Sequence, residues 1–297
     1  LNRKRISGFT FIKGGLTLGY PIKESIESVD PFCDEIIINV GYDDPNCQKD
    51  DGTYDYLRDH FKGDRYVFLK SHWDPNMTSN GTVLAEQTNI ALRKCTGKYC
   101  QYIQGDEVLH EEDYKKILKA VDKMDENEAI EGLVFDYVHF YCSANVIKRT
   151  RDAYRREVRV IRNGRGIYSF RDAQGFKVGE GKKLKCILAD AKVYHYGWAR
   201  LKDVMKRKVQ NMGTFYHGKD FKAENEFEYA RIWGVREFEG THPKNMNQWI
   251  EENRNDIDVL SLKLDFRFEH LRNVISEFIE NLTGYRVGEY KNYKIIP

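Results

Sequence analysis

The stretch Cys100–Asp113, CQYIQGDEVLHEED, constrains this chain more than any other. Lys98–Gln104 is a short, mostly apolar and aromatic run that follows a glycine, the pattern of a buried strand. Gly105 ends it, and two adjacent acids, Asp106 and Glu107, stand in the turn. Glu111, Glu112 and Asp113 then open a helix, where acids suit the positive end of the helix dipole. Tyr114, Ile117, Leu118 and Val121 follow at the i, i+3, i+4, i+7 spacing of one buried face. Two carboxylates are therefore expected at the carboxyl end of a strand just ahead of a helix, the place where α/β sheets bind ligands. Such a pair suits a divalent cation that holds a phosphate, since Mg²⁺ takes one or two carboxylates and completes its shell with substrate oxygens. The bland alternative is an acidic turn that only favours solubility, and the doublet by itself points that way.

The flanking sequence supplies the rest of the sheet. Ile6–Lys13 reads as a first strand, Ile22–Val29 as a short helix with Pro21 near its start, and Asp34–Val40 as a second strand. The apolar run of that second strand suits burial on both faces of a parallel sheet. A second acidic turn, Gly41-Tyr42-Asp43-Asp44, follows it. Tyr54, Leu57 and Phe61 mark a helix, Arg65–Leu69 a third strand, and Gly81–Cys95 a helix stopped by Gly97. This order predicts a Rossmann-like parallel sheet. Beyond Met124 the pattern changes: Gly132–Tyr141, Glu157–Asn163 and Lys192–Tyr196 read as strands around an irregular, Gly- and charge-rich stretch, Asn163–Lys185. From Trp198 the chain is mainly helical. Leu201, Val204, Met205 and Met212 line one helix face, with Lys202, Lys206, Arg207 and Lys208 assigned to the other as a solvated surface. Leu271, Val274, Ile275, Phe278 and Leu282 form another stripe, closed by Gly284 and expected to dock on the sheet domain. The expected division is 1–199 for the sheet domain and 200–297 for a helical extension packed on it.

Composition narrows the function classes. The 297 residues are 41% hydrophobic and 32% charged with a formal net charge of +2, without the basic excess of a bulk nucleic-acid binder. No uncharged apolar run approaches the ~18 residues of a membrane span. LNRKRISGF at the start has no apolar core of a signal peptide. The six cysteines contain no C-x-x-C pair, so neither a zinc site nor a redox motif is indicated, and free thiols in a reducing cytosol are expected.

Four stretches in this order carry a resemblance: GFTFIKGG…YPIKESIESV, DEIIINVGYDD, VLAEQTNIALRKCTGKYCQYIQGDEVLHEED and VYHYGWAR. From about Ile6 to Ala199 the chain resembles the family-2 glycosyltransferases of the GT-A fold. The resemblance implies a Rossmann-like, mostly parallel sheet flanked by helices. It implies an enzyme that passes a sugar from a nucleotide diphosphate to an acceptor hydroxyl, with inversion and with the help of Mn²⁺ or Mg²⁺. The family's D-x-D motif falls on Gln104-Gly105-Asp106, so its first Asp is replaced by Gln. Asp106 is then the expected metal ligand, with Glu107 as an auxiliary group and His195 as the late histidine that completes the site. The alternative for His195 is a core imidazole bonded to a backbone carbonyl between two tyrosines. The resemblance also implies that Phe11, Ile12 and Lys13, with Asp43 or Asp44 and with Gln104, surround the nucleobase and ribose.

The transfer needs a base on the acceptor hydroxyl. Asp172 is the first candidate, with Glu157 and His139 behind it; the plain alternative for Asp172 is a pairing with Arg171 or a turn cap. The expected partners are a nucleotide sugar and a glycan, lipid-linked or protein acceptor, in surface glycan or glycoconjugate synthesis. The expected location is cytoplasmic, with peripheral contact at the inner membrane face left open by Lys206-Arg207-Lys208. Two competing readings are a sugar nucleotidyltransferase and a silent relative that binds a nucleotide or glycan without turnover. The glycines of Gly14–Gly19 suit the first, but that loop lacks an arginine. The Gln104 substitution keeps the second open.

Overall fold

A computed structural model describes residues 5–77, 79–150, 152–218, 220–223, 226–266, 270–283, 286, 288–289 and 291–297. In chain order the first half comprises β1 (Ile6–Ile12), α1 (Ile22–Val29), β2 (Glu35–Tyr42), α2 (Thr53–His60), β3 (Tyr66–His72), α3 (Thr82–Leu92), β4 (Tyr99–Tyr102), β5 (Glu107–Leu109) and α4 (Tyr114–Glu126). Then come β6 (Gly132–Tyr141), β7 (Ser143–Lys148), β8 (Arg156–Arg162), β9 (Ile167–Ser169), β10 (Phe176–Val178) and β11 (Leu184–Trp198). The last third holds α5 (Lys202–His217), β12 (Val235–Glu237), α6 (Asn247–Glu252), α7 (His270–Thr283) and β13 (Tyr293–Ile295).

Four parallel strands, in the order β3-β2-β1-β4, form the heart of an α/β sheet. β4 pairs antiparallel with β8 and β8 with β6, and β6 leads on through β7 to β12. β11 lies parallel to β6 and also carries β5 and β13. The strand pattern dictates two buried faces. Ile36, Ile38 and Val40 of β2 pack with Ile26, Leu57 and Val121 from α1, α2 and α4. Ile37 points the other way, into a second core with Phe9, Ala91, Tyr102 and Phe176.

This topology places the site. From β1 the chain moves outward to β2 and β3, then returns to β4 on the opposite side of β1. The loops after β1 and β4 therefore part and leave a crevice at the carboxyl ends of the strands. Asp106 stands just past β4, and α5 contributes Lys208, Asn211, Met212, Phe215 and Tyr216 to the walls. The expected boundary at 199/200 thus falls immediately before a helix that lines the same cavity as β1 and β4.

Several expectations need correction. The acidic turn leads first into β5, which pairs with β11, and only then into α4. β7 was not expected, and β11 is far longer than Lys192–Tyr196. The stripe on α7 does not face the body: Leu271, Ile275, Phe278 and Leu282 are exposed. The polar face docks instead, Trp233 Nε1 donating to Glu277 at 2.8 Å and Arg155 pairing with Glu280, so charged partners decided the rotation of that helix. Gly284, expected to close α7, lies outside the described residues.

Candidate active site

Asp106 is the centre of the crevice. It is 8% exposed, and three basic side chains converge on its Oδ2. Lys208 Nζ donates to it at 2.9 Å, Arg200 Nη2 lies at 3.6 Å and His195 Nε2 at 3.7 Å. Burial works against the carboxylate charge, but Lys208, His195 and Arg200 outweigh it and hold the Asp106 carboxyl well below the usual range. Lys208 is itself buried and pushed down to about 8, by burial first and then by the Arg200 charge, with Asp106 opposing. Its ammonium also donates to the Gly197 carbonyl at 2.7 Å. An ammonium has three donors, so one remains for the cavity that Lys208 lines. Arg200 is wholly buried behind it; Nη1 donates to the Leu18 carbonyl at 2.8 Å, and the guanidinium stacks 4.0 Å from the Tyr20 ring centre. Among the described residues its Nε and Nη2 have no hydrogen-bond partner. Gly197 makes this assembly feasible: a Cβ there would meet His195 Nε2 at 2.6 Å and Asp106 Oδ2 at 2.9 Å.

Paired strands β6 and β11 bring His139 opposite His195. The two Nδ1 atoms are 3.0 Å apart, and His139 Nε2 lies 2.7 Å from the Tyr154 carbonyl. A carbonyl only accepts, so His139 carries its proton on Nε2 and its Nδ1 accepts from His195 Nδ1. That leaves His195 Nε2 as a bare acceptor facing Asp106. Burial first, and then neighbouring positive charge, lowers His139 to about 3; burial lowers His195 to about 4 despite the opposing pull of Asp106. Both imidazoles are neutral at pH 7. The bonded nitrogens of His139 fix the tautomer of His195 and leave His139 none for a substrate.

Glu107 points elsewhere. It is fully buried, and Arg159 grips it at both oxygens, Nη2 to Oε1 at 2.7 Å and Nε to Oε2 at 2.9 Å. Tyr137 Oη donates to Oε1 at 2.7 Å and the Gln104 backbone N–H to Oε2 at 3.2 Å. Asp106 and His195 come together, whereas Glu107 belongs to a buried ion pair under the sheet's end.

A cavity of about 260 Å³ opens in front of Asp106. Phe11, Ile12, Lys13 and Gln104 line it, as does Asp172. Phe11, Trp73 and Phe215 form an aromatic wall, with ring centres 5.8 and 5.3 Å apart, and the Lys13 ammonium sits 5.1 Å from the Trp73 ring. Trp73 can lie over β2 because Gly41 has no side chain; a Cβ there would be 2.0 Å from Trp73 Nε1. The two acids after β2 separate clearly. Asp43 pairs with Lys13 at 2.5 Å, while the Asp44 carboxylate turns back to accept from the backbone N–H groups of Asn46, Gln48 and Lys49. Asp172 is held between Arg171 and Ala173, both with left-handed φ of +53° and +59°, a strained turn of the kind found at functional sites. Glu157 lies beneath the cavity, where Gln174 Nε2 donates to its Oε1 at 2.7 Å, and burial pushes its carboxyl up to about 7. A larger hollow of about 730 Å³ lies on the far side of His139.

The donors present do not make a good divalent-metal site. Among the described residues, no three His, Cys, Asp or Glu side chains gather to hold an ion. The carboxylate a cation would need already carries Lys208, with Arg200 behind. A +2 ion about 4 Å from a unit positive charge is repelled by roughly 8 kcal/mol at an effective dielectric of about 20.

Sequence reasoning missed Lys208, Arg200, Tyr20 and Phe215. Lys208 had been assigned to the solvated face of its helix, yet it is 4% exposed. The signal was in the spacing: Val204, Lys208 and Met212 are i, i+4 and i+8, so Lys208 lies on the apolar stripe itself.

No family model matches the chain, and no curated protein matches it. Solved structures that overlap with it include S. aureus TarS in complex with UDP, 15% identical over 50% of this chain and 39% of that one, TM-score 0.32. Another is the mannosyltransferase PcManGT from Pyrobaculum calidifontis in complex with GDP-Man and Mn²⁺, 17% identical over 50% and 37%, TM-score 0.33. The chain thus spans about two fifths of the length of these structures, and overlaps this slight decide nothing about the site.

Proposed function

We propose that this chain is a glycosyltransferase of the GT-A type, moving a sugar from a nucleoside-diphosphate sugar to an acceptor hydroxyl with inversion. The observation that carries the reading is the union, in one crevice at the strand ends, of the Asp106–Lys208–Arg200 cluster, an aromatic wall and Asp172. Lys208, Arg200 and Asp106 sum to one net positive charge, which suits a diphosphate. The wall of Phe11, Trp73 and Phe215, with Lys13, Asp43 and Gln104, takes the nucleoside. Asp172 accepts the acceptor's proton as the hydroxyl oxygen bonds the anomeric carbon, and the diphosphate departs with the electrons of the broken C–O bond. Neither Glu157, lodged below Gln174, nor His139, with both nitrogens used, is assigned that role. No step is given to a divalent cation, because Lys208 already holds the carboxylate it needs. A family-2-like hexosyl transfer in surface glycan or glycoconjugate synthesis, on the cytoplasmic side, fits this chemistry.

The test is a panel of UDP-, GDP-, CDP- and dTDP-sugars, read by thermal shift and by release of nucleoside diphosphate. A donor at 100 times its Kd stabilises the protein by ~2.7 kcal/mol. Release of pyrophosphate from a nucleoside triphosphate would point to a nucleotidyltransferase instead. Binding without any slow donor hydrolysis would favour a silent relative.

A further inference from the structure

We propose that Lys208, backed by Arg200, stands in this chain where a divalent cation would otherwise neutralise the donor's diphosphate; the inference rests on the glycosyltransferase reading above. Lys208 reaches Asp106 Oδ2 at 2.9 Å and the Gly197 carbonyl at 2.7 Å, which uses two of its three protons and leaves one for the cavity that Lys208 lines. Arg200 adds a second buried positive charge, its Nη2 3.6 Å from the same oxygen. Tyr20 keeps both cations in place: its ring centre is 4.0 Å from the Arg200 guanidinium and 5.1 Å from Lys208 Nζ.

Burying two cations against one carboxylate leaves a positive excess, which is costly unless an anion arrives to share it. Asp106 then has a different task from metal binding. It anchors Lys208 and keeps the ammonium at the cavity wall. In the transfer, the bond from the anomeric carbon to the diphosphate oxygen breaks as the acceptor oxygen bonds that carbon. The negative charge that grows on the diphosphate meets the third Lys208 proton, while the acceptor's proton passes to Asp172. Stabilising charge with a group already in place costs no reorganisation during reaction.

The test is calorimetric binding of inorganic pyrophosphate, UDP and GDP to the whole chain, in EDTA and in Mn²⁺. Affinity within about threefold between the two buffers is expected for the wild type. Lys208→Met should weaken binding at least tenfold, and Lys208→Arg should recover most of it. Melting temperature confirms that each variant folds; if Lys208→Met does not, the wild-type comparison and Lys208→Arg decide. Binding that appears only with Mn²⁺ overturns this inference and leaves the proposed function standing. Undiminished binding by folded Lys208→Met overturns it as well. No binding in either buffer removes the donor reading, and this inference falls with it.

Discussion

Glu157→Gln should make the protein more stable at pH 8 and leave it unchanged near pH 4. Glu157 is fully buried; one oxygen accepts from Gln174, and the buried Asn292 side chain also bonds the carboxyl. Burial raises its carboxyl from the ordinary 4.5 to about 7, against the pull of Arg159, Gln174 and Asn292. Below about 4.5 the carboxyl is protonated folded or unfolded, and it contributes nothing to pH dependence. Between 4.5 and 7 the unfolded chain gives up the proton while the folded chain keeps it, so stability falls as pH rises. The difference of 2.5 units corresponds to about 3 kcal/mol, fully lost once the pH exceeds 7. Glutamine keeps the acceptor for Gln174 and has no proton to lose. With an unfolding entropy of ~2.1 cal/mol/K per residue, a chain of this size gains about 5 °C in Tm from 3 kcal/mol. Melting curves of both proteins from pH 4 to 8.5 provide the check. A pH-independent difference, or a variant less stable at pH 8, would refute the buried neutral carboxyl.

Other outcomes follow from the same geometry. Asp172→Asn should cut transfer about 10²–10⁴-fold with near-normal donor affinity; a loss under tenfold moves the base elsewhere. Arg159→Met strands the buried Glu107 charge and should cost about 3–5 kcal/mol in urea unfolding, much of it recovered by adding Glu107→Gln. If the single variant is as stable as wild type, the pair is not what holds that end of the sheet. Gly197→Ala should disrupt donor binding far more than stability, because its Cβ meets His195 and Asp106 within 3 Å; intact pyrophosphate affinity would contradict this.

Much of the fold was legible because periodicity reports burial locally. Ile22–Val29 and Gly132–Tyr141 match the observed elements residue for residue, and the apolar run of β2 announced a strand covered on both faces. Gly105 likewise marked the end of β4, since a strand end is a local signal. Other features were not local. β5 is three residues long and exists only through β11, some 85 residues away in sequence, so no pattern of its own marks it. The face that α7 buries was decided by Glu277 and Glu280 finding Trp233 and Arg155, against its own apolar stripe.

The site divides in the same way. The residue types were readable: acids after β4, a late histidine, and a carboxylate in the irregular stretch. Which charges meet was not. Asp106 and Glu107 are neighbours in sequence, yet one faces Lys208 and Arg200 in the crevice and the other is clamped by Arg159 beneath it. Lys208 comes from a helix 102 residues further along the chain. Sequence alone determined which surfaces are apolar and where the chain turns, because those depend on neighbours within a few residues. Only the tertiary structure decided the partner of each buried charge, because a charge taken from water must be balanced by whatever the fold brings within a few ångströms.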